Sequence, residues 1–197
     1  MKIENRWLDV PVAGEAEPMS AYLARPAAPG PHATVLVGFE MFGVTDYVRA
    51  VADRIAALGY TAVVPDFYHR SGRRICLPAT AEGRSRGLEL LSQVTRDGVD
   101  RDIQALLDQL PGPHAMVGLS VGGHIAYYSA TRFPFAAVAA FYPAAHRRHH
   151  PPRPPHAHAG AHGRHRRARH PPAPARRRRR PPLHPCPTRR DRLPPRR

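Results

Sequence analysis

The chain is short of cysteine, lysine and long apolar runs. Its two cysteines, Cys76 and Cys186, are far apart and form no C-x-x-C pair. That spacing argues against a disulfide framework and against a cysteine-based zinc site, so no metal or other cofactor is expected. No apolar run approaches the ~20 residues that cross a bilayer. The N-terminal "MKIENRWLDV" has no apolar core of the signal-peptide kind, and a cytoplasmic protein with no membrane partner is expected. Lys2 is the single lysine among 30 basic residues. From residue 146 onward there is no Val, Ile, Met, Phe, Tyr or Trp, and one carboxylate, Asp191.

The formal net charge of +15 belongs to this last stretch. Residues 146–197 hold 17 Arg and one Asp, a balance of +16, which leaves the rest of the chain near neutral. Arg, Pro, His, Ala and Gly make up 47 of these 52 residues. Thirteen prolines remove backbone donors. So little apolar surface cannot offset chain entropy. The expected organisation is a domain over 1–145 and a disordered Arg/Pro/His-rich tail over 146–197. The tail is either a selected basic arm or a G/C-rich gene read out of frame, and its vocabulary favours the frameshift. As a basic arm it would bind nucleic acid, through runs such as Arg176–Arg180. With no aromatic residue to stack on bases, that binding would be non-specific.

What is present before residue 146 is regular. "ATVLVGFE" (33–40), "YTAVVPDF" (60–67), "HAMVGL" (114–119) and "FAAVAAFY" (135–142) are short apolar runs suited to strands buried on both faces. Val48, Val51, Ala52, Ile55 and Leu58 follow helical spacing, with Gly59 as the stop. Val99, Ile103, Leu106, Leu107 and Leu110 form a second stripe closed by Pro111. A third helix is expected between Ser120 and Pro134. Alternating strands and helices predict an α/β fold, a mostly parallel sheet with helices on both faces. Segments near 6–12 and 19–25 predict an antiparallel hairpin at its edge.

Sites in such sheets form beyond the carboxyl ends of the strands. Glu40, Asp66 and Ser120 stand at three of these ends. Ser120 lies in Gly118-Leu119-Ser120-Val121-Gly122, a G-x-S-x-G between a strand and a helix. Glycines at both flanks let the chain turn tightly enough to lift a nucleophilic hydroxyl clear of the sheet, at a helix N-terminus. The competing reading is a serine that merely caps the helix. Asp66 is expected to fix its own loop by accepting backbone hydrogen bonds, and His124, one turn into the helix, to serve packing.

In order along the chain, "GFEMFGV" (38–44), "VVPDFYHR" (63–70) and "GLSVGGHIAYYSA" (118–130) resemble the dienelactone hydrolase family of the α/β-hydrolase superfamily. The resemblance covers about residues 5 to 143. It implies hydrolysis of a small-molecule carboxylic ester or lactone, with Ser120 as nucleophile where well-known members carry cysteine. It implies the backbone N–H groups of Met41 and Val121 as oxyanion donors. It further implies Glu40 as the carboxylate that contacts and activates the nucleophile, and Arg70 as a contact for a substrate carboxylate. The superfamily orders its triad as serine, then acid, then histidine. After Ser120 the sequence offers Asp191 as its single carboxylate, and no histidine follows it. A C-terminally incomplete sheet and impaired catalysis are therefore expected.

Overall fold

The computed structural model describes residues 1–143. The segment read as a disordered tail lies outside the described residues. In chain order the elements are β1 (Ile3–Val10), β2 (Met19–Pro26), β3 (Thr34–Gly38), α1 (Asp46–Ala57), β4 (Thr61–Pro65), α2 (Ala81–Leu91), α3 (Arg96–Gln109), β5 (His114–Leu119), α4 (Val121–Ser129) and β6 (Ala137–Phe141). They form one sheet in the order β1-β2-β4-β3-β5-β6. β1 and β2 pair antiparallel, β2 meets β4 antiparallel, and β4, β3, β5 and β6 run parallel.

The four apolar runs become the four parallel strands. β3 and β4 are buried along their whole length, as expected of strands covered on both faces. The β3–β4 connection runs towards β1, whereas β4–β5 and β5–β6 run towards β6. With right-handed crossovers, that reversal puts α1 on one face and the later helices on the other. Strand connections diverge between β3 and β5, so the crevice above their carboxyl ends is the switch point where ligands bind in such sheets. The predicted hairpin is present with β1 shifted towards the N-terminus, and Trp7 pairs with Tyr22 edge to face.

Three helices begin in the same way. Thr45, Thr80 and Thr95 are extended N-cap residues, and each side chain accepts a backbone N–H three residues on. The side-chain oxygen thereby satisfies one of the donors that a helix start leaves without an intrahelical partner. α1 ends where Gly59 takes a positive φ of 102°. α2 is not predicted by the apolar spacing. Its "AEGRSRGLELL" buries Gly83, Gly87 and Leu90, so much of its inner face is backbone, which leaves no apolar stripe to read.

The sheet has two unlike edges. β1 carries Glu4, Arg6 and Asp9, the charges that discourage a second chain from pairing. No charged residue occurs from Phe135 to Tyr142. Among the described residues β6 pairs with β5 alone, and Phe141 is half exposed. Such an edge is a template for association. Ala140→Lys, an exposed change on this strand, is expected to lower light scattering at equal concentration without lowering the melting temperature. Unchanged scattering would remove β6 as the source of association.

Candidate active site

β5 ends at Leu119 and α4 starts at Val121, so one residue turns the chain from strand to helix. That residue, Ser120, has φ 54° and ψ −112°. A positive φ is strained for any residue with a Cβ and persists only where the surroundings enforce it. Here backbone packing enforces it. A Cβ on Gly118 would lie 2.0 Å from the carbonyl oxygen of Gly122, and one on Gly122 would lie 2.2 Å from the carbonyl carbon of Gly38. β3, β5 and the first turn of α4 therefore meet main chain to main chain. The Gly122 N–H donates to the Phe39 carbonyl at 2.8 Å, and the Ser120 N–H to the Phe141 carbonyl at 3.0 Å.

Ser120 occupies the N-cap position of α4 but makes no side-chain cap hydrogen bond. This departs from the three threonine-capped helices and from the capping reading of the serine. The Val121 N–H stands at the first helical position, where no intrahelical acceptor exists. His124 lies one turn on, with its N–H donating to the Ser120 carbonyl at 3.1 Å.

Glu40 is brought beside this turn by register. Gly38 of β3 pairs with Gly118 of β5, so Glu40 and Ser120 each stand two residues past a matched pair. Across the other side, Phe141 pairs with Leu119, which sets Tyr142 level with Ser120. The Tyr142 hydroxyl donates to a Glu40 carboxylate oxygen at 3.1 Å. Burial and the nearby Glu40 carboxylate raise the Tyr142 phenol above its usual range. Sequence reasoning missed this contact, because the two residues are 102 positions apart.

The loop after β3 is a tight turn in which the Gly43 N–H donates to the Glu40 carbonyl at 3.1 Å. That carbonyl shares a planar trans peptide with the Met41 N–H, so the N–H points away from the turn. Two further bonds tie the loop to the stretch after β4, from the Val44 N–H to the Ile75 carbonyl and from the Leu77 N–H to the Phe42 carbonyl.

Asp66 fixes that second stretch, as expected. Its carboxylate is fully buried and accepts the N–H of Tyr68 at 3.2 Å and of Arg74 at 2.6 Å. Burial pushes its pKa up to about 7, against the lowering influence of those two N–H groups. Arg70 is placed differently from its sibling candidates. Its guanidinium grips Asp102 with both terminal nitrogens, at 3.0 and 2.9 Å, and its Nε donates to Glu15 at 2.7 Å. Asp102 also meets His69 Nε2 at 3.1 Å. The hydrogen bond from Arg70 holds the Glu15 carboxyl below the usual range. Strand register thus sets Glu40 and Ser120 just past the matched ends of β3 and β5, while Arg70 is committed to an ion-pair cluster of Glu15 and Asp102.

Two outcomes test this geometry. Gly122→Ala has no room to relax against backbone and is expected to cost more than about 3 kcal/mol, beyond ordinary overpacking. A denaturant melt within 1 kcal/mol of wild type, roughly the median mutational effect, would refute the contact. For Asp66, a folded pKa of about 7 against an ordinary 3.8 means stability present below pH ~4 and lost as pH rises through ~7. Asp66→Asn never ionises but keeps only one acceptor for two N–H groups. It is expected to melt below wild type at pH 5, with the gap closing by pH 8. A gap that widens with pH would contradict the assigned shift.

The family model for the dienelactone hydrolase family matches residues 19–162, a span that runs past the described residues and into the stretch read as a tail. A Synechocystis protein named "Putative carboxymethylenebutenolidase" is 29% identical over 149 residues, covering 72% of this chain and 61% of that protein. A Methylorubrum extorquens protein of the same name is 45% identical over 67 residues, which is 31% of this chain and 23% of its own. The crystal structure titled "Putative Dienelactone Hydrolase" from Klebsiella pneumoniae superposes with a TM-score of 0.58 at 28% identity, covering 68% of this chain and 57% of that one. The chain therefore spans about three-fifths of the length of the Synechocystis relative. No helix among the described residues is long and apolar enough to cross a membrane. With its switch-point crevice, its glycine-packed serine turn and a family match over most of its length, the chain belongs to the dienelactone hydrolase family.

Proposed function

We propose that the protein hydrolyses carboxylic ester or lactone bonds of small molecules by a serine mechanism, in an impaired form. The observation that supports this most is the α4 start: a strained, uncapped serine where three other helices carry unstrained threonine caps. Strain of that kind is maintained where a side chain must be presented rather than satisfied.

In this reading the Ser120 Oγ attacks the carbonyl carbon and gives its proton to the Glu40 carboxylate. The carbonyl oxygen gathers negative charge between the N–H groups of Met41 and Val121, at the positive end of α4. On collapse the Glu40 carboxyl returns the proton to the departing alkoxide, which leaves as the alcohol or stays tethered as the opened lactone, and an acyl-serine ester remains. Water then releases the acid and restores the hydroxyl. Arg70, held by Glu15 and Asp102, enters this reading as part of the framework rather than as the substrate's counter-ion.

The impaired form is proposed from chain order within these 197 residues. A serine hydroxyl needs a histidine base oriented by a carboxylate, and past Ser120 the sequence supplies Asp191 and then no histidine. Oxyanion donors and binding alone leave roughly 10³–10⁴-fold acceleration over water in a triad protease. p-Nitrophenyl acetate hydrolysis only modestly above that residual, and falling to it in Ser120→Ala, is the expected result. A rate unchanged by Ser120→Ala would defeat the nucleophile assignment. Fast turnover lost in Ser120→Ala would defeat the impairment alone.

A further inference from the structure

The Met41 main chain is clamped from two sides by residues outside the crevice. The Tyr68 hydroxyl donates to the Met41 carbonyl at 3.0 Å. From α2, a Cβ on Gly87 would come within 2.6 Å of that same carbonyl oxygen and 3.4 Å of the Met41 Cγ. Tyr68 is 1% exposed. Its ring leans on Phe39 with centroids 4.9 Å apart, and its own N–H is held by Asp66.

We propose that Tyr68 and Gly87 are positioning residues that aim the Met41 N–H at the crevice, by locking the peptide that follows it. The proposal rests on the oxyanion role given to Met41 above. The Glu40–Met41 peptide is already pinned by the Gly43 N–H. It can still tilt about the Met41 backbone dihedrals unless the Met41–Phe42 peptide is pinned as well. The phenol pins it by a hydrogen bond, and the bare Cα of Gly87 lets α2 approach closely enough to block the carbonyl from swinging away. Burial, then the Asp66 carboxylate, raises the Tyr68 phenol above its usual range, so it remains a donor across the pH range of any assay. Asp66, Tyr68 and Met41 thus form a chain of two hydrogen bonds, each between a side chain and a backbone group.

The test is Tyr68→Phe, which keeps the ring and its contact with Phe39, together with Gly87→Ala as an independent push on the same carbonyl. Both are read by Ser120-dependent p-nitrophenyl acetate hydrolysis and by the amide resonances of Met41 and Phe42. Small misplacements of catalytic groups cost up to about 10²-fold, and loss of an oxyanion donor costs 10²–10³-fold. Tyr68→Phe is therefore expected to lower kcat by about ten- to a hundredfold with KM unchanged, and to shift both amide resonances. Gly87→Ala is expected to move the same two resonances. An unchanged kcat in a folded Tyr68→Phe variant, or unmoved Met41 and Phe42 resonances, overturns the proposal. Should wild type show no Ser120-dependent rate, the hydrolase reading fails, and the resonances alone decide whether the clamp exists.

Discussion

The contact on which the structure turns is the approach of three stretches of bare main chain, at Gly38, Gly118 and Gly122. No side chain stands between β3, β5 and the start of α4 there. Because the backbones touch, the chain has one residue in which to pass from strand to helix, and that residue is driven to a positive φ. The same closeness lets the Gly122 N–H reach the Phe39 carbonyl, so the loop carrying Glu40 and Met41 is tied to the helix that carries Val121. Sheet topology puts this contact between the two strands whose connections diverge. A strained serine at a helix start and a loop tied to that helix are thus consequences of one packing event.

Around that centre the loops are held by hydrogen bonds to backbone as well as by buried apolar side chains such as Phe39, Val44, Phe67 and Ile75. The stretch after β4 is organised by a buried carboxylate, Asp66, which forgoes hydration in order to accept two N–H groups. Burial of a carboxylate is costly, and that cost pushes the Asp66 pKa up. A few residues away, charge is handled in the opposite way. Arg70, Arg101, Glu15 and Asp102 neutralise one another and link the β1–β2 turn, the post-β4 loop and α3. One region keeps a carboxyl buried and the other cancels its charges, and the first holds the Tyr68 N–H.

Much of the fold was legible because its signals are local. Apolar runs bounded by turn residues located the four parallel strands, and 3.6-residue spacing located α1 and α3. α2 escaped because Gly83 and Gly87 face inward where Leu or Val would have marked a stripe. Its Thr80 cap was the available signal. Ser120 was legible because its conformation is enforced by neighbours two residues away on either side. Arg70 was not. Its partners Glu15 and Asp102 lie 55 and 32 residues distant, and a motif position does not say which carboxylate a guanidinium will meet. The Glu40–Tyr142 contact was hidden for the same reason, since it depends on the pairing of three strands.

The sequence by itself determined the alternation of elements, the serine turn and the order of chemical groups along the chain. Those follow from periodicity and from glycines at fixed spacing, which act over a few residues. Tertiary structure alone decided which groups meet. Strand register levelled Glu40 and Tyr142 with Ser120, a helix with no apolar stripe pressed Gly87 against Met41, and the turn between β1 and β2 delivered Glu15 to Arg70. Such meetings depend on how strands pair and how closely backbones approach, and neither quantity is written in any single stretch of residues.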